Sequence, residues 1–217
     1  MKHLKMIGLA ALAATALMAL VGVGTASAKV CSTAGAGAAC GGSHGSVYTG
    51  AISASLTSGK NAVLTSGFIT VTCTESSAGG SASGGASSPA TGNLTSLTFG
   101  GCTANTGGSC TAKSSASAGN PWPATLTTGT APNGTMTVTN VTGEFTCTVF
   151  GSPVTCRYVA TDAGGAGEIV VKGGTPAEII ATSVKLTKEE VSNGLCSNTA
   201  TWSGEYKIST PTNAFLT

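Results

Sequence analysis

One short segment of the chain matches a catalytic motif. Residues 41–45, Gly-Gly-Ser-His-Gly, fit the Gly-x-Ser-x-Gly pattern that carries the nucleophilic serine of α/β-hydrolases. That chemistry needs a strand before the serine, a helix after it and a separate histidine as the base. His44 is the only histidine after residue 28, and residues 31–46 are rich in Gly, Ala and Ser. We therefore interpret the motif as a loop, and the sequence predicts no catalytic residue.

Acidic residues are the second candidate for chemistry. A glycosidase needs two facing carboxyl groups, and a calcium site needs several oxygen ligands. Asp162 and Glu168 flank a Gly/Ala segment, which is more typical of a solvated hairpin loop than of a calcium loop. We expect no metal and no cofactor. A pocket that gathers two or more of the following acids would favour an enzyme: Glu75, Glu144, Asp162, Glu168 and Glu178.

The chain contains eight cysteines, for which metal binding and redox chemistry compete with structural disulfides. No Cys-x-x-Cys occurs, and a single histidine remains after residue 28. An exported chain also meets an oxidising environment. The sequence therefore predicts that every cysteine is in a structural disulfide: Cys31, Cys40, Cys73, Cys102, Cys110, Cys147, Cys156 and Cys196.

Residues 1–28 have the pattern of a cleaved signal peptide. Lys2 and Lys5 precede an apolar stretch, and Ala26-Ser27-Ala28 supplies the small-x-small cleavage site. Without these residues the ten basic residues become eight, which balance eight acidic ones. A neutral mature chain offers no electrostatic attraction for nucleic acid or anionic lipid. We expect a secreted or cell-envelope protein with no nucleic-acid partner and no membrane association after cleavage.

The rest of the chain alternates between apolar and hydroxyl residues. In Ile69-Thr70-Val71-Thr72-Cys73, and again in Phe145-Thr146-Cys147-Thr148-Val149, every second residue is apolar. This period is typical of half-buried strands, and about ten such runs occur. The sequence predicts an all-β protein, an antiparallel β-sandwich or barrel-like domain over residues 47–217. An N-terminal segment, 29–46, precedes it, and the Ser/Gly/Ala-rich residues 76–92 predict a flexible loop.

Spacing and strand parity suggest a pairing for the cysteines. A two-residue turn at Gly151-Ser152 would place Cys147 opposite Cys156 in a hairpin. The pairs 31–40 and 102–110 are close enough in sequence to close small loops. Cys73 and Cys196 remain, and a bridge between them is the expectation by elimination.

Trp122 lies between two prolines and is a candidate surface contact for a sugar or a protein. The alternative is a tryptophan at the rim of the core.

The chain resembles a group of uncharacterised secreted proteins of high-GC bacteria. The resemblance runs over nearly the whole chain through the Cys31 and Cys40 pair, Phe68-Ile69-Thr70-Val71-Thr72-Cys73, Leu94-Thr95-Ser96-Leu97-Thr98-Phe99 with Cys102, Pro121-Trp122, Gly134-Thr135-Met136-Thr137-Val138, Gly173-Gly174-Thr175-Pro176-Ala177, Ala200-Thr201-Trp202 and Ser209-Thr210-Pro211. It implies an exported β domain with paired cysteines and carries no site residue. The functional prediction is a non-enzymatic envelope or extracellular structural or binding protein, whose partner is an envelope glycan, a protein or another copy of itself. The alternatives are a secreted hydrolase with an unrecognised site and a pilus-like assembling subunit.

Overall fold

The structure is a computed structural model that describes residues 29–32, 40, 46–83, 89–129, 133–165, 168–190 and 192–216. The predicted signal peptide and the Gly-x-Ser-x-Gly motif lie outside these residues. The described residues form strands and no helix, and none of their segments is a helix long and apolar enough to span a bilayer. The strands are β1 Val30–Cys31, β2 Gly50–Leu56, β3 Ala62–Ser66, β4 Ile69–Ser83, β5 Ala90–Ala104, β6 Cys110–Ser114, β7 Trp122–Thr128, β8 Asn133–Val149, β9 Ser152–Ala163, β10 Ile169–Lys172, β11 Glu178–Lys188, β12 Thr199–Thr210 and β13 Phe215–Leu216.

Strands β2 to β12 form one antiparallel sheet of eleven strands that closes on itself. The closure is made by β12, which pairs with β11 on one side and with β2 and β3 on the other. Strands β2 and β3 in turn pair with β4, which pairs with β5. The predicted antiparallel all-β fold is confirmed in its barrel-like form, and we call this closed sheet the barrel.

At three positions in the barrel wall, two strands that are consecutive in the sequence together take the place of one long strand. Strands β2 and β3 both lie between β12 and β4, and strands β9 and β10 both lie between β8 and β11. Strand β7 pairs with β5 and β8, while β6 pairs with β8 and meets β5 at the Thr103–Ser109 bridge. The wall is therefore an up-and-down meander. The interruption between two consecutive strands at one position leaves the ring of paired strands closed.

The small sheet of β1 and β13 covers one end of the barrel. Val30 pairs with Leu216 and Cys31 pairs with Phe215, and all four residues are buried. The backbone N–H of Tyr48 donates to the Val30 carbonyl at 2.7 Å, which joins this sheet to the chain entering β2. The turns β3–β4, β5–β6, β8–β9 and β11–β12 lie at the opposite end, since they connect strands that run towards it.

Several strands change which of their faces points into the barrel near the middle of their length. In β8 the buried apolar positions pass from Val138 to Phe145, an odd step, and Asn140 between them has a φ of 59°. In β11 the step from Ala181 to Val184 contains a bulge and Ser183 with a φ of 52°. A bulge, or a residue with a left-handed backbone conformation, inserts one extra residue into the strand. The strand bends there, and the side chains after it point to the opposite faces. These breaks explain why the simple period-2 pattern holds only within half-strands.

The predicted loop over residues 76–92 is wrong for the residues that the structure describes. Residues 76–83 belong to β4 and residues 90–92 to β5, while 84–88 lie outside the described residues. Small side chains are required here because the two backbones approach closely at a register shift: a Cβ on Gly80 would lie 2.2 Å from the Asn93 carbonyl oxygen. The Ser/Gly/Ala composition therefore reflects close strand contact rather than flexibility.

All eight cysteines form disulfides, as predicted, but three of the four predicted pairs are wrong. The bridges are 31–40, 73–102, 110–147 and 156–196. The β8–β9 turn is at Phe150-Gly151, where both residues have positive φ, so Cys147 faces Val154 and Cys156 faces Phe145. Cys73 instead lies directly opposite Cys102, and Cys110 directly opposite Cys147, on neighbouring strands.

We predict that the 110–147 bridge contributes more stability than the 31–40 bridge. The sequence separations are 37 and 9, and chain entropy gives about 4 and about 3 kcal/mol for loops of these lengths. The measurement is the free energy of unfolding of the C110A/C147A and C31A/C40A double variants under oxidising conditions. Peptide mapping without reductant serves as the control, and recovery of a 147–156 peptide would contradict the structure.

We predict that Gly80→Ala destabilises the protein by about 1–3 kcal/mol, as overpacking does in a closely packed site. The matched control is Gly119→Ala, because a Cβ at Gly119 meets nothing within 4 Å. The measurement is the free energy of unfolding in urea. Equal values for the two variants would mean that residues 76–92 are a loop.

Candidate functional site

The interior of the barrel contains two apolar cavities. The first cavity, of about 120 Å³, is lined by side chains that include Leu64, Val71, Phe99, Phe145 and Leu186. The second cavity, of about 110 Å³, lies towards the β1–β13 sheet and is lined by side chains that include Ile52, Leu126, Val171, Ile208 and Phe215. Every one of these residues occupies an inward position of a strand, so the alternating sequence pattern supplies the apolar lining.

The space in the first cavity arises from missing side chains. Gly143 pairs with Tyr158 in the β8–β9 ladder and therefore faces the same side of the sheet as that buried tyrosine. A Cβ at Gly143 would meet only the Lys113 carbonyl oxygen, at 4.0 Å. Ala62, Ala78 and Ala112 also line the cavity with single methyl groups. Larger side chains at these inward positions would fill the interior.

One polar group of the first cavity lining is unpaired. The Trp202 Nε1 atom is buried and has no hydrogen-bond partner among the described residues. Its ring lines the cavity and lies 6.1 Å, centroid to centroid, from the ring of Tyr206. A buried N–H without an acceptor costs about 1–3 kcal/mol, so an acceptor that reached this atom would remove that cost.

Two tyrosines connect strands of the wall that are not direct neighbours, through buried serines. Ser76 donates to the Thr98 carbonyl at 2.7 Å, so the Tyr206 hydroxyl, 2.9 Å from Ser76 Oγ, is the donor in that pair. Tyr158 donates to the Ser197 carbonyl at 2.9 Å and also contacts the Ser66 hydroxyl. These bonds join β12 to β4 and β9 to β3.

Burial determines the protonation of both tyrosines. Burial raises the pKa of Tyr206 to about 12, although its hydrogen bond with Ser76 acts in the opposite direction. Burial also raises the pKa of Tyr158, against the smaller effect of Ser66. Both hydroxyls therefore stay neutral and act as hydrogen-bond donors that span the interior.

Both ends of the interior are covered. Over the second cavity lie Val30, Ala214, Phe215 and Leu216, and the Leu216 side chain fits beside Gly134, where a Cβ would approach it to 2.9 Å. At the other end of the barrel the lining is continuous with the core cluster that holds Tyr158 and three of the disulfides. Between the two ends, the lining of the first cavity also includes the exposed Lys113 and the partly exposed Glu144.

Trp122, the predicted surface contact, is buried: 2% of its surface is exposed, which corrects that prediction. Its Nε1 donates to Ser115 Oγ at 3.3 Å, and its ring lines the first cavity. The first strand position of β7 turns the side chain inward between flanking prolines, which is the alternative that the sequence left open.

The candidate carboxylates are not brought together. Of the five acids singled out from the sequence, only Glu144 borders either cavity. Glu168 is 4.0 Å from the ammonium of the exposed Lys185 and is itself partly buried. No group of three or more potential metal ligands occurs among the described residues. The linings of both cavities are therefore predominantly apolar.

The sequence did not identify Gly143, Met136 or Trp202 as residues of a site. The unpaired N–H of Trp202 depends on neighbours from other strands. The alternation of β8 indicates that Gly143 faces inward. It does not indicate that no opposing side chain fills the space in front of it.

The outer surface offers a second, convex feature. Phe68 and Phe150 are 51% and 82% exposed, and their rings stack with centroids 6.4 Å apart. They come from the β3–β4 and β8–β9 turns at the end opposite the β1–β13 sheet. Exposed aromatic pairs of this kind are typical of contact surfaces.

No protein-family model, curated protein or solved structure matches this chain. The site must therefore be interpreted from its own geometry.

We predict that the stability of the protein falls as the pH rises from about 10 to about 12, by an amount on the order of 2 kcal/mol that depends on Tyr206. The folded pKa of Tyr206 lies above the unfolded value, so the folded state holds the proton longer and loses its advantage as that proton dissociates. The measurement is the free energy of unfolding against pH for the natural protein and for Tyr206→Phe. Parallel curves for the two proteins would contradict the prediction.

Proposed function

We propose that this protein is an exported binding protein that holds a small apolar molecule inside its barrel. The observation that carries the proposal is the pair of apolar cavities of about 120 and 110 Å³. Protein interiors are normally packed without voids of this size. Each cavity costs on the order of 3 kcal/mol at the measured penalty per unit of cavity volume. A cost of this size is explained if a ligand fills the space.

The size and lining of the cavities define the ligand class. An apolar cavity of roughly 150 Å³ stays dry and accepts benzene, whereas drug-sized ligands need roughly 300 Å³ or more. The two cavities together fall below that limit. The unpaired Trp202 Nε1 favours a ligand with one hydrogen-bond acceptor. The expected ligand is a small hydrocarbon-like molecule with a single oxygen acceptor.

Export is supported by the four disulfides, which are typical of proteins that mature in an oxidising compartment, together with the signal-peptide pattern of residues 1–28. A mature chain without net charge has no electrostatic attraction for nucleic acid. A partner glycan or protein would find its most apolar contact at the exposed Phe68 and Phe150 pair.

The alternative functions have weaker support. A hydrolase would need paired catalytic groups at a cavity, and Glu144 is the single carboxylate that borders one among the described residues. Assembly by strand addition needs an unpaired edge, whereas β4, β11 and β12 each have partners on both sides.

We predict that the natural protein binds hexanol and that Gly143→Leu weakens this binding at least roughly tenfold, because the leucine side chain occupies the apolar space that the ligand would fill. The variant should be at least as stable as the natural protein, since the Cβ at this position meets no clash. Binding is measured by titration calorimetry or by chemical-shift perturbation of residues that line the first cavity.

The matched control is Gly119→Leu, which adds the same side chain at an exposed position with nothing within 4 Å of its Cβ. This control should bind hexanol as the natural protein does. The proposal fails if hexanol and benzene do not bind to the natural protein, or if both leucine variants bind hexanol equally.

A further inference from the structure

The two cavities adjoin, since they share part of their lining. Five residues line both of them, and they come from four of the long strands: Ala78, Leu94, Met136, Val138 and Ile179. No backbone segment crosses the interior at this level, since all described strands lie in the wall or in the β1–β13 sheet. The boundary between the two cavities therefore depends on the conformation of these side chains alone.

Met136 is the most adaptable member of this shared lining, and Leu94 has one rotatable side-chain bond fewer. Val138 and Ile179 are β-branched and restricted at χ1, and Ala78 has no rotatable side-chain bond. Methionine is unbranched, with three rotatable bonds, and adapts to irregular space. Met136 is partly buried and packs against the core clusters on both sides. Its backbone is fixed by pairing with Leu126, so only its side chain is free to move.

We propose that the ligand is one unbranched alkyl chain with a terminal oxygen acceptor, and that it displaces the Met136 side chain and occupies both cavities. This inference rests on the proposed function and specifies its ligand. The oxygen lies in the first cavity, because Trp202 lines that cavity and not the second. The hydrocarbon tail extends past Met136 towards Ile208 and Phe215. Medium-chain alcohols, aldehydes and esters belong to this class.

A single long ligand is favoured over two small ones for an energetic reason. Each separate molecule loses its own translational and rotational freedom on binding, whereas a chain that spans both cavities loses it once. Each additional buried methylene then strengthens binding roughly fourfold. The affinity should keep rising with chain length beyond the length that fills one cavity.

The experiment is a titration series of straight-chain alcohols, from butanol to decanol, against the full natural protein in its oxidised form. Calorimetry gives affinity and stoichiometry together. We expect the affinity to rise roughly fourfold per methylene over the intermediate chain lengths of the series, and one decanol molecule to bind per chain. A plateau once a single cavity is filled, or two short alcohols per chain with no decanol bound, would overturn the inference while leaving apolar binding intact.

Two variants test the role of Met136. Met136→Phe places a rigid ring in the shared lining and should weaken decanol binding at least roughly tenfold while changing pentanol binding by less than about twofold. Met136→Leu, of similar volume, should retain most of the decanol affinity. Equal loss for both alcohols in the phenylalanine variant, or no loss for decanol, would contradict the assigned role. Should the phenylalanine variant not fold, the chain-length series of the natural protein decides the matter alone.

If no alcohol of any length binds to the natural protein, the proposed function itself fails. The chain-length inference and the broader proposal are thus separated by the same titration. The Gly143→Leu variant adds a further check, since it should shorten the range of chain lengths accepted rather than abolish the dependence on Met136.

Discussion

The pairing of β12 with β2 and β3 is the interaction on which the rest of the structure depends. It joins the last long strand to the first and turns a sheet of eleven strands into a closed wall. Closure removes most open edges, which would otherwise invite association with other chains. It also creates a barrel interior, in which side chains from different strands face one another instead of packing against a second sheet.

The wall is held by a small number of specific ties. Three of the disulfides join strand positions that are neighbours or near neighbours in the barrel, and buried hydroxyl pairs join β12 to β4 and β9 to β3. A domain with few charged residues and an incompletely filled interior has less packing energy available than a dense core. Covalent cross-links offset that loss, because they lower the entropy of the unfolded chain. The cysteines and the cavities are therefore physically connected features.

The sequence allowed much of the wall to be predicted and little of the interior. Alternation in residues 69–73 and 145–149 correctly identified strands and their buried faces. It failed for residues 76–92, because small residues that permit close backbone approach have the same composition as a flexible loop. The cavity could not be predicted, since an empty space beside Gly143 depends on which residues of other strands do not reach it.

By itself, the sequence determined the all-β class, the oxidised state of the eight cysteines and the inward face of most half-strands. These properties follow from local periodicity and from residue chemistry, which a single stretch of chain carries. Tertiary structure alone decided which cysteines pair, that Trp122 is buried, and that the sheet closes around two apolar cavities. The alternation of residues along a strand predicts which face of the sheet a residue occupies. It does not predict which strand lies beside that residue. Neighbours are set by register and ring closure, and both arise from contacts between residues far apart in the chain.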